Sequence, residues 1–297
     1  MMSSEQAAGR PRDTATGTVD RARGLRVVRR RSYGRWAADG VLALLVVGLV
    51  WTSATNPNFQ WDIVFKYLTN KMILAGLVTT LQLTVLTMVI ASVLGVILAL
   101  MIMSADPWLR AFAAGYKWLL RGTPLLVQLI FWFNIAALYP RISFGWPGGP
   151  ELFGFSGNAI TPFMAALLGL ALHESAYMAE IIRGGMMAVG RGQTEAAKAM
   201  GMRPMQAFIR VVLPQALRVI VPATGNQIIL MLKTTSLVSV IALPELLYSA
   251  QAIYARTFEI IPLLIVASCW YLAVCSILGI GQYYVERHLG KSHRRRH

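Results

Sequence analysis

The sequence predicts an all-α polytopic membrane protein with about six transmembrane helices and both termini on the cytoplasmic side. Composition is the first reason. Of 297 residues, 56% are hydrophobic and only 14% charged, and the mean hydropathy is +0.55, whereas soluble domains carry roughly 25% charged residues. The second is a series of apolar stretches near 37–54, 72–102, 121–139, 161–182, 216–244 and 260–284. Each reaches the ~17–25 residues needed to cross a bilayer. The third is charge placement, because Lys and Arg are retained on the cytoplasmic side. Segments 1–36, 103–121, 183–218 and 286–297 hold 23 of the 28 basic residues. The alternate segments hold only Lys66, Lys71, Arg141 and Arg256, and Lys233 lies within a span.

Read in order, residues 1–36 form a basic cytoplasmic arm whose first twenty residues are polar and expected to be disordered. A sequence pI near 10.4, the run RARGLRVVRRR (21–31) and the tail HRRR (293–296) would also suit nucleic acid. Membrane lipid accounts for them more simply, since anionic headgroups attract juxtamembrane cations at ~1 kcal/mol per residue. No small-residue cleavage site clearly follows the span at 37–54, so that helix is expected to remain as an extra first crossing. Met72 to Ile102 would be about 45 Å long as one helix and must tilt or protrude. Its Thr79, Thr80, Gln82, Thr84, Thr87 and Ser92 suit packing against other helices.

Residues 106–120 mix charge with aromatics, as an interfacial helix does. The run RGTPLLVQ (121–128) contains Gly122 and Pro124, which break one helix and start another. Tyr139 to Ala159, rich in Gly, Pro and aromatics, reads as an outer surface loop with interface anchors. A shorter outer loop is expected from Leu246 to Thr257, after Pro244 and Glu245. Cys269 and Cys275 share the last span and read as packing residues. The four histidines offer no ligand constellation, and no metal site is expected. Residues 72–285 thus form the core, and 286–297 a basic cytoplasmic tail.

The stretch QTEAAKAMGMRP (193–204) is polar between long apolar neighbours. Thr194 is expected to cap a short helix over Glu195 to Met200, with Glu195 complementing its positive end. Gly201 stops that helix in the left-handed conformation, and Pro204 opens the next, MQAFIRVVL, which Pro214 interrupts. Glu195, Ala196 and Ala197, then Gly201, then Val211, Leu213 and Pro214 resemble the EAA signature, EAA(X)3G(X)9IXLP, of bacterial ABC importer permeases. Val211 replaces Ile there. RGTPLLVQL (121–129), AYMAEIIRGG (176–185) and NQIILMLKTTSL (226–237) resemble segments of the polar amino-acid branch, and Gly201 followed by Met202 fits that branch better than the sugar permeases. The resemblance spans about Ile73 to Leu289.

This resemblance implies the type I importer fold and no catalysis in the chain itself. It implies that residues of about 190–214 form a coupling loop docking on a separate ATPase. It further implies two ATPase copies, a second permease chain, the same or homologous, an external substrate-binding protein and a place in the bacterial cell membrane. The sequence itself holds no complete phosphate loop: Gly290, Lys291 and Ser292 imitate its end, but Val285 stands where its first Gly belongs. ATP and Mg are therefore expected on the partner, and no cofactor on this chain.

Charged groups inside a span are costly and are functional candidates. Glu174 and Lys233 either pair with each other or line the solute path. Glu180 and Arg183 suit an i,i+3 pair. Resemblance to amino-acid permeases places Gln128, Glu174, Tyr177, Asn226, Lys233, Thr234 and Ser236 near the translocation path, although such residues also serve as interhelical hydrogen bonds. Pro214, Pro222 and Gly225 read as hinges or as static kinks. An ion-coupled secondary transporter would call for internal repeats, and none is evident; a membrane scaffold would call for a dry interior. The leading expectation is an importer permease for polar or charged amino acids, with another small polar solute, such as an opine, as the alternative.

Overall fold

Polar caps and proline breaks divide the chain into helices. The computed structural model describes residues 33–145 and 151–294, so the expected disorder of residues 1–20 lies outside the described residues. Contacts divide the chain into a unit of residues 1–56 and one of residues 57–297. The first contains α1 (Tyr33–Thr55), which exposes Leu44, Val47 and Leu49, as a helix facing lipid would.

In the second unit, α2 (Trp61–Leu68) leads into α3 (Lys71–Met103), capped by the Asn70 side chain, which accepts from the Met72 amide at 2.8 Å. At 33 residues, α3 is one uninterrupted helix. Its buried stripe runs through Ile73, Thr80, Thr84, Thr87, Ala91 and Leu98, whereas Val78, Val85, Val89 and Val96 are exposed. The threonines therefore face protein, as expected, but Gln82 is exposed.

Helix α4 (Pro107–Gly122) opens with Pro107 and the Asp106 cap, which accepts from the Trp108 amide at 2.8 Å. It is amphipathic: Ala113 and Leu120 are buried, Trp108, Phe112 and Trp118 exposed. At Thr123 and Pro124 the chain breaks, then continues as α5 (Leu125–Phe133) and α6 (Ile135–Leu138) around Asn134. The expected span at 121–139 is thus assembled from pieces, and the described residues hold five helices that are long and apolar enough to cross by themselves. The expected outer loop contains an antiparallel hairpin, β1 (Arg141–Gly145) with β2 (Glu151–Ser156), in register Arg141 with Ser156.

Helix α7 (Pro162–Met187) is capped by Thr161 and packs along α3. A short α8 (Arg191–Ala199), α9 (Pro204–Ala207) and a π-helical turn over Phe208–Val212 lead into α10 (Leu213–Thr234). Pro214 does not end the helix. Because it has no amide to donate one turn back, the wider π turn ahead of it absorbs the break. After Thr234 the chain tightens to a 3-10 helix over Thr235–Ile241 and turns at left-handed Ala242.

Leu246 to Thr257, expected as a loop, is instead helix α11. Glu245 caps it by accepting from the Tyr248 amide at 2.8 Å, and packing on α3 and on α12 (Ile260–Arg294) holds it. The last helix continues through the segment expected as a tail, to Arg294. Cys269 is exposed and Cys275 half-buried, so Cys269 is not a core packing residue.

Two large apolar cores result among the described residues, beside a small third one where Leu98, Ala113 and Ala179 join α3, α4 and α7. One joins α3, α5, α7 and α10 through Leu83, Leu129, Leu170, Met178 and Met231. The other joins α2, α3, α11 and α12 through Val64, Ile73, Leu246, Leu263 and Val266. Helix α3 contributes to both.

Candidate functional site

The loop expected to couple to an ATPase begins where α7 ends. Helix α8 starts at Arg191 after Gly190, so Thr194 lies inside the first turns and does not cap it. Gly190 has extended dihedrals and hands the chain directly into the helix, whose Arg191 and Gln193 favour it. Glu195 consequently sits mid-helix.

The C-terminus follows the expectation closely. Gly201 has φ 77°. The Gly201 amide donates to the Lys198 carbonyl at 2.9 Å and the Met202 amide to the Ala197 carbonyl at 3.1 Å. This is the Schellman arrangement, which needs a left-handed residue at that position. Ala197 and Ala207 are buried while Glu195, Lys198 and Met200 are exposed, so the loop folds on two small residues and presents a mixed polar and apolar face. Pro204 opens α9, and Gln206 accepts from the Arg203 amide at 3.2 Å. Leu213 and Pro214 then open α10.

The polar residues within the spans divide into three groups. Glu174, on α7, is buried and accepts from the Gln227 side chain of α10 at 3.2 Å. Its other oxygen, Oε1, has no partner among the described residues. Lys233 is exposed and has no carboxylate partner among the described residues; the pairing of Glu174 with Lys233 is not formed. Glu180 does bind Arg183, at 2.8 Å, and also binds Lys117 from α4, tying the helix before the loop to its neighbour.

Tyr177 lies under the Arg121 guanidinium, 4.8 Å from the ring centroid, with the His173 ring at 5.3 Å. Gln128 is buried and donates to the Leu120 carbonyl at 2.8 Å and the Thr123 hydroxyl at 2.7 Å, so it ties the helix break together. Asn226 is exposed. Thr234 and Ser236 donate to the carbonyls of Leu230 and Lys233, at 3.0 and 2.7 Å.

Sequence reasoning missed Gln227, Lys117 and above all Glu245. That carboxylate is fully buried and accepts from Thr80 at 3.3 Å, Tyr271 at 2.9 Å and the Tyr248 amide at 2.8 Å. Burial raises the Glu245 carboxyl above its ordinary value, and these hydrogen bonds oppose the shift. The signal was an acidic residue directly before a short apolar-periodic run, which is a cap position.

Residues 91–291 match the family described as binding-protein-dependent transport system inner membrane component. The chain belongs to that family. It is 43% identical over 264 residues to the arginine transport system permease protein of Corynebacterium glutamicum, covering 88% of this chain and 82% of that one. It is 35% identical over 232 residues to the L-cystine transport system permease protein of Bacillus subtilis, covering 78% and 92%. An amino acid ABC transporter crystallised with histidines superimposes with TM-score 0.63 at 34% identity, over 73% of this chain and 94% of that one. The inward-facing methionine transporter MetNI shares the fold, with TM-score 0.56 at 15% identity. This permease is therefore a multi-pass inner-membrane transport component of the type I importer fold.

Proposed function

We propose that this permease forms the membrane path of an importer for polar or cationic amino acids, coupled to a separate ATPase through α8 and Gly201. The observation that carries the substrate reading is Glu174. Its buried carboxylate has one hydrogen bond and an unpartnered oxygen, and such an acceptor needs water or a cationic group to complete it. Buried atoms of Thr87, Gln128 and His173 that have no partner among the described residues lie on α3, α5 and α7, which supports a wet interior over a dry scaffold. The arginine permease among its relatives supports the same substrate class.

In this reading both termini are cytoplasmic, two ATPase copies bind ATP and Mg, and a second permease chain completes the path. An external binding protein delivers the solute. Closure of the ATPase pair moves α8, and through the π turn and Pro214 moves α10, which carries Gln227 against Glu174.

The test is uptake of labelled L-arginine into proteoliposomes holding the whole importer. Glu174→Gln is expected to reduce arginine uptake by tenfold or more, about 1.4 kcal/mol, while a neutral amino acid such as glutamine is affected far less. Equal effects on both solutes would overturn the substrate reading. Nopaline and octopine permeases, 34% and 38% identical, support a second reading in which the solute is an opine; opine uptake faster than arginine uptake would establish it.

A further inference from the structure

Two adjoining cavities open between α10 and α12. One, of about 360 Å³, lies at the end that carries the coupling loop and is lined by Val189, Gln215, Arg218 and Glu286. The other, of about 400 Å³, continues along the same helices past Thr224, Ile228, Ile277 and Val285. Pro222 lines both, so they form one groove with a charged mouth and an apolar floor.

The sequence explains why the groove is unfilled. Gly225 and Gly281 place no side chain in it, and a Cβ added at Gly281 would meet nothing within 4 Å. Pro222 has no amide, which leaves the Arg218 carbonyl without its helical donor. The Arg218 guanidinium is exposed and has no partner among the described residues. Among the described residues, Glu286 accepts only from Gln282 of its own helix, at 2.8 Å. A cation, a carboxylate and a free carbonyl therefore border one opening.

The groove's length selects its occupant. From Arg218 to Ile228 a helix advances about 15 Å, which is half of the ~30 Å hydrocarbon core and so the depth of one leaflet. A purely anionic headgroup would meet Glu286 as well as Arg218. We propose that the groove binds one phospholipid of the phosphatidylethanolamine class. Its phosphate lies on Arg218, its primary ammonium beside Glu286 and the Arg218 carbonyl, and one acyl chain along Ile228 and Ile277. Because α10 follows the coupling loop directly, the lipid wedges the helix that the loop would move. The proposal rests on no assignment of substrate.

The whole importer in nanodiscs of phosphatidylethanolamine and phosphatidylglycerol is doped with phosphatidylethanolamine bearing a photoreactive acyl chain, and labelled peptides are mapped. Label is expected on segments 221–228 and 277–285. Gly281→Leu, which fills the open space, should reduce it several-fold. Gly279→Leu, whose Cβ also meets nothing within 4 Å but which does not line the groove, should not. Arg218→Gln should weaken capture of this probe and of a phosphatidylglycerol probe, whereas Glu286→Gln should weaken only the former. If Gly281→Leu fails to assemble, Val285→Trp fills the groove from its other end. Equal labelling of the wild type and the filled variant would overturn the proposal. So would efficient disulfide formation between two copies carrying Ile277→Cys in a background with Cys269 and Cys275 replaced, which would put the second permease there instead.

Discussion

Glu245 is held by side chains from two other helices, Thr80 of α3 and Tyr271 of α12, while it caps α11. The Thr80 hydroxyl also accepts from the Leu246 amide at 3.1 Å, so one threonine serves both the carboxylate and the helix start. A Cβ at Gly76 would come within 2.8 Å of the Glu245 carbonyl oxygen, and only glycine allows α3 to approach this closely. Removing the carboxylate leaves several buried donors unpaired, each at about 1–3 kcal/mol. Glu245→Ala is therefore expected to destabilise the second core by roughly 2–4 kcal/mol, seen as a lower midpoint on thermal unfolding in detergent. Glu245→Gln keeps an acceptor for the Tyr248 amide and should lose less than half as much. If the two variants unfold alike, a neutral acceptor of the same volume does not suffice, and the charge of the carboxylate is what holds the three donors.

Among the elements, the loop proposed to couple to the ATPase carries the sharpest prediction. Gly201 stands in a left-handed conformation that costs other L-residues about 1–2 kcal/mol, with Asn the best tolerated. Gly201→Val should uncouple the importer, giving ATP hydrolysis with several-fold less uptake per ATP, and Gly201→Asn should restore most of the ratio. An unchanged ratio in the valine variant would remove the loop from the coupling path. The glycine, Pro204 and the two ends of α3 were legible because each has a local cause: a φ value, a missing amide, an apolar run. Thr194 misled, since Gly190 could begin the helix earlier without a side-chain cap. Helix α11 was read as a loop because its packing against α3 and α12 comes from residues distant in sequence. The Glu174 and Lys233 pair failed for the same reason: spacing along two helices does not fix their rotation, and α10 turns Gln227, not Lys233, toward α7.

At the scale of the whole molecule, orientation in the bilayer is the property on which every functional statement depends. The placement of basic residues predicts α8 inside and the β1–β2 hairpin outside, and the element order agrees with such a separation, since α7 is the one long helix between the hairpin and the loop. A helix of 26 residues is about 39 Å long, more than enough to put its ends on opposite sides of a ~30 Å core. Cys269 is exposed along α12 and must be replaced, with Cys275, before labelling. In that background, Ser143→Cys on the hairpin and Gln193→Cys on α8 both replace exposed residues, so reactivity reports the side of the membrane and not burial. An impermeant maleimide added to intact spheroplasts is expected to modify position 143 rapidly and position 193 only after the membrane is opened. The reverse pattern would invert the chain, put α8 beyond the reach of any cytoplasmic ATPase, and remove the basis for coupling through Gly201.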